Sequence, residues 1–439
     1  MGAFTAGAAT ANISPEGSQF LCGYPHVERY SRGIHDPLLS SALFLTDGQE
    51  QVMFIANDIL FISKASTARA RERIAAETGV LAQNIMITAT HTHSGPITID
   101  YVSWERDPVV PKADKAYVQL LEDGIVAAAL AAHARSQPAE IGLAIADGTG
   151  VGTNRRNPTG PADPQVPVLM VRSVDSHKPV ACMLVYSMHP TVLHEDSKLV
   201  SADFPGAARQ YLQQNALGGN CPVLYHTGPS GNQSPRHVTR GSGFAEVKRL
   251  GEVLGRAVAR VIPEIRYSSS VALQSQQRRT DLPRKAFPSV AEAVRRLDGA
   301  WARFEALRKN RAPRAETRTA ECDWFGAEET LTLALADLDG RLDAQYAQCL
   351  PAEVQVIRVG AWSFVGWPGE IFVDYALAVK NQFRDAFVLS LANGELGGYI
   401  VTEEAALEGG YEASNALFGP PAGRLLVQVT QELLNSARA

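Results

Sequence analysis

Cysteine is scarce in this chain. Its five cysteines (Cys22, Cys182, Cys221, Cys322, Cys349) are scattered, with no Cys-x-x-Cys pair among them. That excludes a thiolate zinc ribbon and reads as reduced, mostly buried thiols of a cytosolic protein. No apolar run approaches the ~20 residues of a membrane span. The opening Met1-Gly2-Ala3-Phe4-Thr5 has neither a basic leader nor a long apolar stretch, so neither a secretory signal nor stable membrane insertion is expected, and the location expected is cytoplasmic. An excess of positive charge is missing too. With 41 Lys and Arg against 46 Asp and Glu, the net charge is -5, which excludes a nucleic-acid surface as the main business of the protein. Internal repeats and low-complexity segments are absent.

What is present is ordinary for a globular enzyme: 45% hydrophobic and 20% charged residues over 439 positions. That length exceeds what one small core serves, so one large α/β domain or two joined lobes is expected. Leu43-Phe44-Leu45 and Val52 to Ala56 read as neighbouring strands across Asp47-Gly48. Lys64 to Thr78 is helical in pattern and stopped by Gly79. A further strand follows at Ile85, giving a β-α-β order and a partly parallel sheet. Ala116 to Ala134 reads as a long helix, and Val166 to Val174 with Pro179 to Ser187 as a strand pair. Residues 268–350 change character. Gln274 to Lys285 is polar and charged, and Ser289 to Asn310 carries Val290, Ala293, Val294, Leu297, Trp301, Phe304 and Leu307 on one stripe. The expected fold is α/β, a mixed, partly parallel β-sheet flanked by helices, with a helical insertion. Its parts are a catalytic region at 1–267, an insertion or lid at 268–350, and the remainder of the catalytic domain at 351–439.

Chemistry concentrates at strand ends. The apolar run from Ile85 leads into Thr90-His91-Thr92-His93-Ser94-Gly95-Pro96. If the run stays extended, His91 and His93 point to one side, at the carboxyl end of a strand, where open α/β sheets place ligands. Asp58, His189, the Gly- and Pro-rich loop of Ser234, and Glu370 also follow apolar strands. Two histidines and one glutamate are a familiar ligand set for a catalytic zinc ion.

The motifs His91-Thr-His93-Ser-Gly-Pro96, Asn154-Arg155, His189-Pro190-Thr191, Gly231 to Pro235, Pro368-Gly369-Glu370 and Tyr399 through Tyr411-Glu412 occur in that order. In this the chain resembles the neutral ceramidase superfamily of zinc amidases, nearly end to end. The resemblance implies zinc (Zn2+) held by His91, His189, Glu370 and Tyr399, and attack of a zinc-bound water on a linear amide of an N-acyl compound. It further implies His93 as proton relay, Tyr411 as donor to the oxyanion, Arg155 as an orienting cation, and Ser234 as either nucleophile or hydrogen-bonding group. Asp58, His35 and His226 are candidates for supporting roles.

The chain departs from the family pattern at Ile97-Thr98, at Asn232-Gln233 with Arg236, and at Arg156-Asn157-Pro158. Ile97 and Thr98 are expected to take up room beside the metal, and Arg156 and Arg236 to favour a polar or anionic substrate group. A small-molecule N-acyl substrate is therefore expected in place of ceramide, with no nucleic-acid partner; a homo-oligomer stays open. The rival readings are a zinc-dependent esterase or lactonase on the same scaffold and a catalytically silent binding protein of that fold.

Overall fold

The computed structural model describes residues 4–436. An eight-stranded sheet runs in the spatial order Ile85–Ala89, Gln51–Asn57, Leu39–Thr46, Thr5–Asn12, Gln137–Asp147, Gln165–Ser173, Pro179–Tyr186 and Val223–Thr227. Its outermost pair at each end is parallel and the interior pairs are antiparallel. A second sheet of four strands runs Leu273–Thr280, Ala352–Val359, Trp362–Gly366 and Ala386–Leu389, the last pair parallel. The expected mixed, partly parallel architecture is what forms.

The strand pattern explains the layering. Alternate residues of the first sheet, among them Leu43, Leu45, Val52, Phe54 and Leu169, meet Ile357, Val359, Phe364 and Phe387 of the second in one core. The two sheets therefore stack face to face. The opposite face of the first sheet, with Phe44, Met53 and Ile55, packs on Ile74, Leu121 and Ile125 of the helices Lys64–Thr78 and Lys115–Ala134. The opposite face of the second sheet, with Val354, Val356 and Val365, packs on the helices Val373–Gln382 and Pro421–Ser436. The result is a helix–sheet–sheet–helix sandwich. A polar bridge crosses between the sheets: Arg71 pairs with Glu353 at 2.9 Å, and Asn393 joins Gln355 at 2.7 Å to the backbone of Ile87 at 2.9 Å.

Residues 273–280, a polar stretch by sequence, form the edge strand of the second sheet. Only Leu273 in it is buried. An edge strand wetted on both faces needs no apolar alternation, so periodicity alone did not expose it. Beyond it the helices Val290–Lys309 and Arg314–Leu338 form an antiparallel hairpin, with Phe304 and Trp324 stacked at 5.7 Å. The apolar stripe of the first helix is only partly covered. Ala293 and Phe304 are buried, whereas Val294 and Trp301 are 40% and 41% exposed. No helix among the described residues is long and apolar enough to cross a membrane.

Candidate active site

The strand Ile85–Ala89 is wholly buried and ends one residue before Thr90. Thr90 and His91 then donate their backbone N–H groups to Asn57 and Ile59. His91 adopts a left-handed backbone, φ 71°, which is uncommon for a residue with a Cβ. His91 and His93 do face one cavity, their rings 5.0 Å apart. This left-handed turn brings them together, not the pleat of an extended strand. His189 arrives just after the strand Pro179–Tyr186, its ring 4.6 Å from His91 and 5.9 Å from His93. Glu370 sits in a two-residue parallel pairing opposite Tyr399.

Hydrogen bonds determine which ring nitrogen each histidine offers. Nδ1 of His91 lies 3.0 Å from Leu60 O, and Nδ1 of His93 3.0 Å from Gly23 O. Nδ1 of His189 lies 2.6 Å from Ser230 O. A carbonyl only accepts, so each Nδ1 carries a proton and Nε2 is the nitrogen each ring has left to offer. These three rings bring their nitrogens within 4.8 Å of one another. Glu370 Oε2 lies 3.2 Å from His91 Nε2 and 3.1 Å from His189 Nε2. Nε2 of His91 and of His93 are buried without a hydrogen-bond partner, an arrangement that costs free energy unless a ligand satisfies them. The donor set and its backbone supports fit a divalent metal ion.

Electrostatics agree. Burial, then Arg155 and His91, hold His189 down at about 4. Burial, then His91 and His189, keep His93 well below the usual histidine value. Burial opposes ionisation of Glu370, but His91 and His189 outweigh it and hold the carboxyl well below the ordinary range.

Tyr399 and Tyr411 line the same cavity, their rings 5.9 Å apart. Burial, then Glu370, raises the Tyr399 phenol well above its ordinary value, while Arg155, 5.3 Å from the ring, pulls the other way. Arg155 is locked by Glu412 at 2.7 Å, so the structure brings it to Tyr399 and not to His93. The cavity is narrow, about 60 Å3, and lined by Phe20, Leu60, Phe61 and Trp104 beside the polar groups. A wider cleft of about 810 Å3 beyond Tyr101 contains none of the three histidines.

Other expected residues go elsewhere. Ser234 is not on the cavity wall; its Oγ accepts from Arg236 N at 3.3 Å and caps a short helical turn. Its segment serves the site through backbone, since Ser230 and Gln233 hold the His189 ring. Arg156 is consumed by Glu408 and Glu412, and Arg236 reaches Cys322 Sγ at 3.8 Å, so neither arginine lines the cavity. Ile97 is buried in the helix-side core and Thr98 lines the wider cleft, so neither crowds the histidines. Asp58 is a buried partner of Arg209 at 2.8 Å, and His35 pairs with Asp36 at 2.8 Å. His226 meets Thr88 at 2.7 Å, behind the site.

Gly23, Arg29 and Glu329 were given no part in the site from sequence, and Glu412 was quoted only as the end of a motif. Arg29 is fully buried and donates to His93 O at 2.9 Å. Gly23 had a visible signal as a turn residue. Its φ is +113°, and a Cβ there would stand 2.3 Å from His93 Nδ1. Gly23→Ala should therefore displace the His93 ring. We expect a loss of about 1–3 kcal/mol in urea unfolding from backbone strain, with a much larger fall in turnover. Wild-type turnover in this variant would show that Gly23 does not hold His93.

The family described as "Neutral/alkaline non-lysosomal ceramidase, N-terminal" matches residues 4–223. The chain belongs to this ceramidase family. It is 24% identical to the neutral ceramidase of Mycobacterium tuberculosis, over 98% of the chain and 77% of that relative. It is 23% identical to the neutral ceramidase of Pseudomonas aeruginosa, over 94% of the chain and 69% of that relative. The crystal structure of the Pseudomonas aeruginosa neutral ceramidase superposes with a TM-score of 0.74 at 19% identity, covering 98% of this chain and 73% of that one. Ceramidase membership places the chain among hydrolases of N-acyl amides.

Proposed function

We propose that this protein is a zinc-dependent amidohydrolase acting on linear amides of small N-acyl compounds. The observation that supports it most is the convergence of nitrogens from three buried histidine rings, two of them against the Glu370 carboxylate. His91, His189, Glu370 and Tyr399 would hold the metal, a set whose nitrogen and oxygen donors suit zinc. When bound, a divalent ion supplies Lewis acidity and activates water near neutral pH. His93, with Nδ1 committed to Gly23 O and Nε2 open, takes a proton and returns it to the leaving amine. Tyr411, on the same wall, donates to the oxygen on which charge develops. Arg155, fastened by Glu412, positions Tyr399. A second ligand set, His91, His93 and His189, is favoured by the mutual distance of their nitrogens.

The narrowness of the cavity supports short acyl groups over long-chain ceramide. The test is a panel on metal-loaded protein: short N-acyl amines, their matched esters, a lactone, and long-chain ceramide in detergent. Amides should be hydrolysed, with kcat/KM for the short compounds above that for ceramide. Turnover of esters or lactone without amides would establish the esterase reading. Ceramide as the best substrate would overturn the small-substrate reading. No turnover with no retained metal would leave a binding protein.

A further inference from the structure

The helix Arg314–Leu338 sends one acid into the cavity. Glu329 lines it together with His93, Glu370 and Tyr411, is 8% exposed, and leaves Oε2 buried without a hydrogen-bond partner. Neither lysine nor arginine is among the lining residues. Asp107 adds a third acid to the wall beside Glu329 and Glu370, its Oδ2 already engaged by His26 N. Neighbouring Glu328 pairs with His26 and gives Glu329 nothing. Burial, then Glu328, Glu370 and Asp107, push the Glu329 carboxyl up to about 8, as befits a buried acid that lacks a cation. The aromatic walls of Tyr24, Phe61, Tyr101 and Trp104 also suit a cation. A buried polar atom without a partner needs an explanation.

We propose that Glu329 determines substrate specificity by binding a protonated amine of the substrate, so that the preferred substrates are N-acyl compounds that carry a free primary amine. This rests on the amidohydrolase reading above and reverses the charge preference expected from Arg156 and Arg236. Glu329 acts on binding and takes no part in bond breaking.

The test uses metal-loaded full-length protein and three short N-acyl substrates of matched length, ending in an amine, a methyl group or a carboxylate. Wild type should favour the amine over the carboxylate in kcat/KM. Glu329→Gln should lower that ratio about 10- to 100-fold, the range of one charge-assisted hydrogen bond, chiefly through KM. Glu329→Asp, which keeps the charge, should retain part of the preference and serves if the glutamine variant folds poorly. Hydrolysis of the methyl compound with no amine preference, or a ratio unchanged in both variants, overturns the role of Glu329 and leaves the amidohydrolase reading intact. If wild type hydrolyses none of the three, the amidohydrolase reading fails and calorimetry with n-butylammonium decides the role of Glu329. Binding by wild type and not by Glu329→Gln supports it, and equal binding overturns it.

Discussion

His91→Ala and His189→Ala are each expected to strip the protein of its divalent metal and of activity together. Each removes a buried Nε2 that lies against Glu370 Oε2, at 3.2 Å for His91 and 3.1 Å for His189. Each ring is fastened through Nδ1, His91 to Leu60 O and His189 to Ser230 O. Loss of even a hydrogen-bond partner behind a ligand weakens metal binding by about 10- to 100-fold, so loss of a ligand itself should exceed that. Elemental analysis after dialysis against a weak chelator reads the result directly. Full zinc occupancy in both variants would sink the assignment of these two histidines.

The second large effect is at His93. His93→Ala should keep the metal and lose about two to four orders of magnitude in turnover, the usual contribution of a positioned acid–base group. The argument is one of attachment. His93 belongs to the wall formed by Gly23 and Tyr24, with Gly23 O on Nδ1 and the Tyr24 ring 5.4 Å away. Glu370 Oε2, by contrast, lies against His91 and His189. Added imidazole should restore part of the activity. If His93→Ala releases metal as readily as His91→Ala, the three-histidine ligand set is the correct one and proton transfer falls to another group.

Much of the fold was legible because local chemistry announced it. Gly79 ends the helix Lys64–Thr78 in a left-handed cap, φ 75°, the conformation glycine adopts at least cost. The buried strands Gln51–Asn57 and Ile85–Ala89 stood out as apolar runs. The edge strand Leu273–Thr280 and the helix Arg314–Leu338 did not. The strand is wet, and the helix spreads its buried residues over several neighbours and shows no single stripe. Glu329 was invisible for the same reason: in sequence it is one acid in the run Glu328-Glu329-Thr330.

By itself the sequence determined the kinds of donor and the order in which they come: histidines after strands, a glutamate after Pro368-Gly369, tyrosines at 399 and 411. Residue type sets what a group can bind, and that needs no neighbours. Only the tertiary structure decided which donors meet and with what charge. The carbonyls that fix each Nδ1 and the pairing of Arg156 with Glu408 and Glu412 join residues far apart in the chain. Whether an arginine faces a substrate or an acid depends on which chain segments the two stacked sheets bring side by side. Here that packing paired Arg156 with acids, turned Arg236 to a cysteine sulfur and left Glu329 Oε2 without a hydrogen-bond partner.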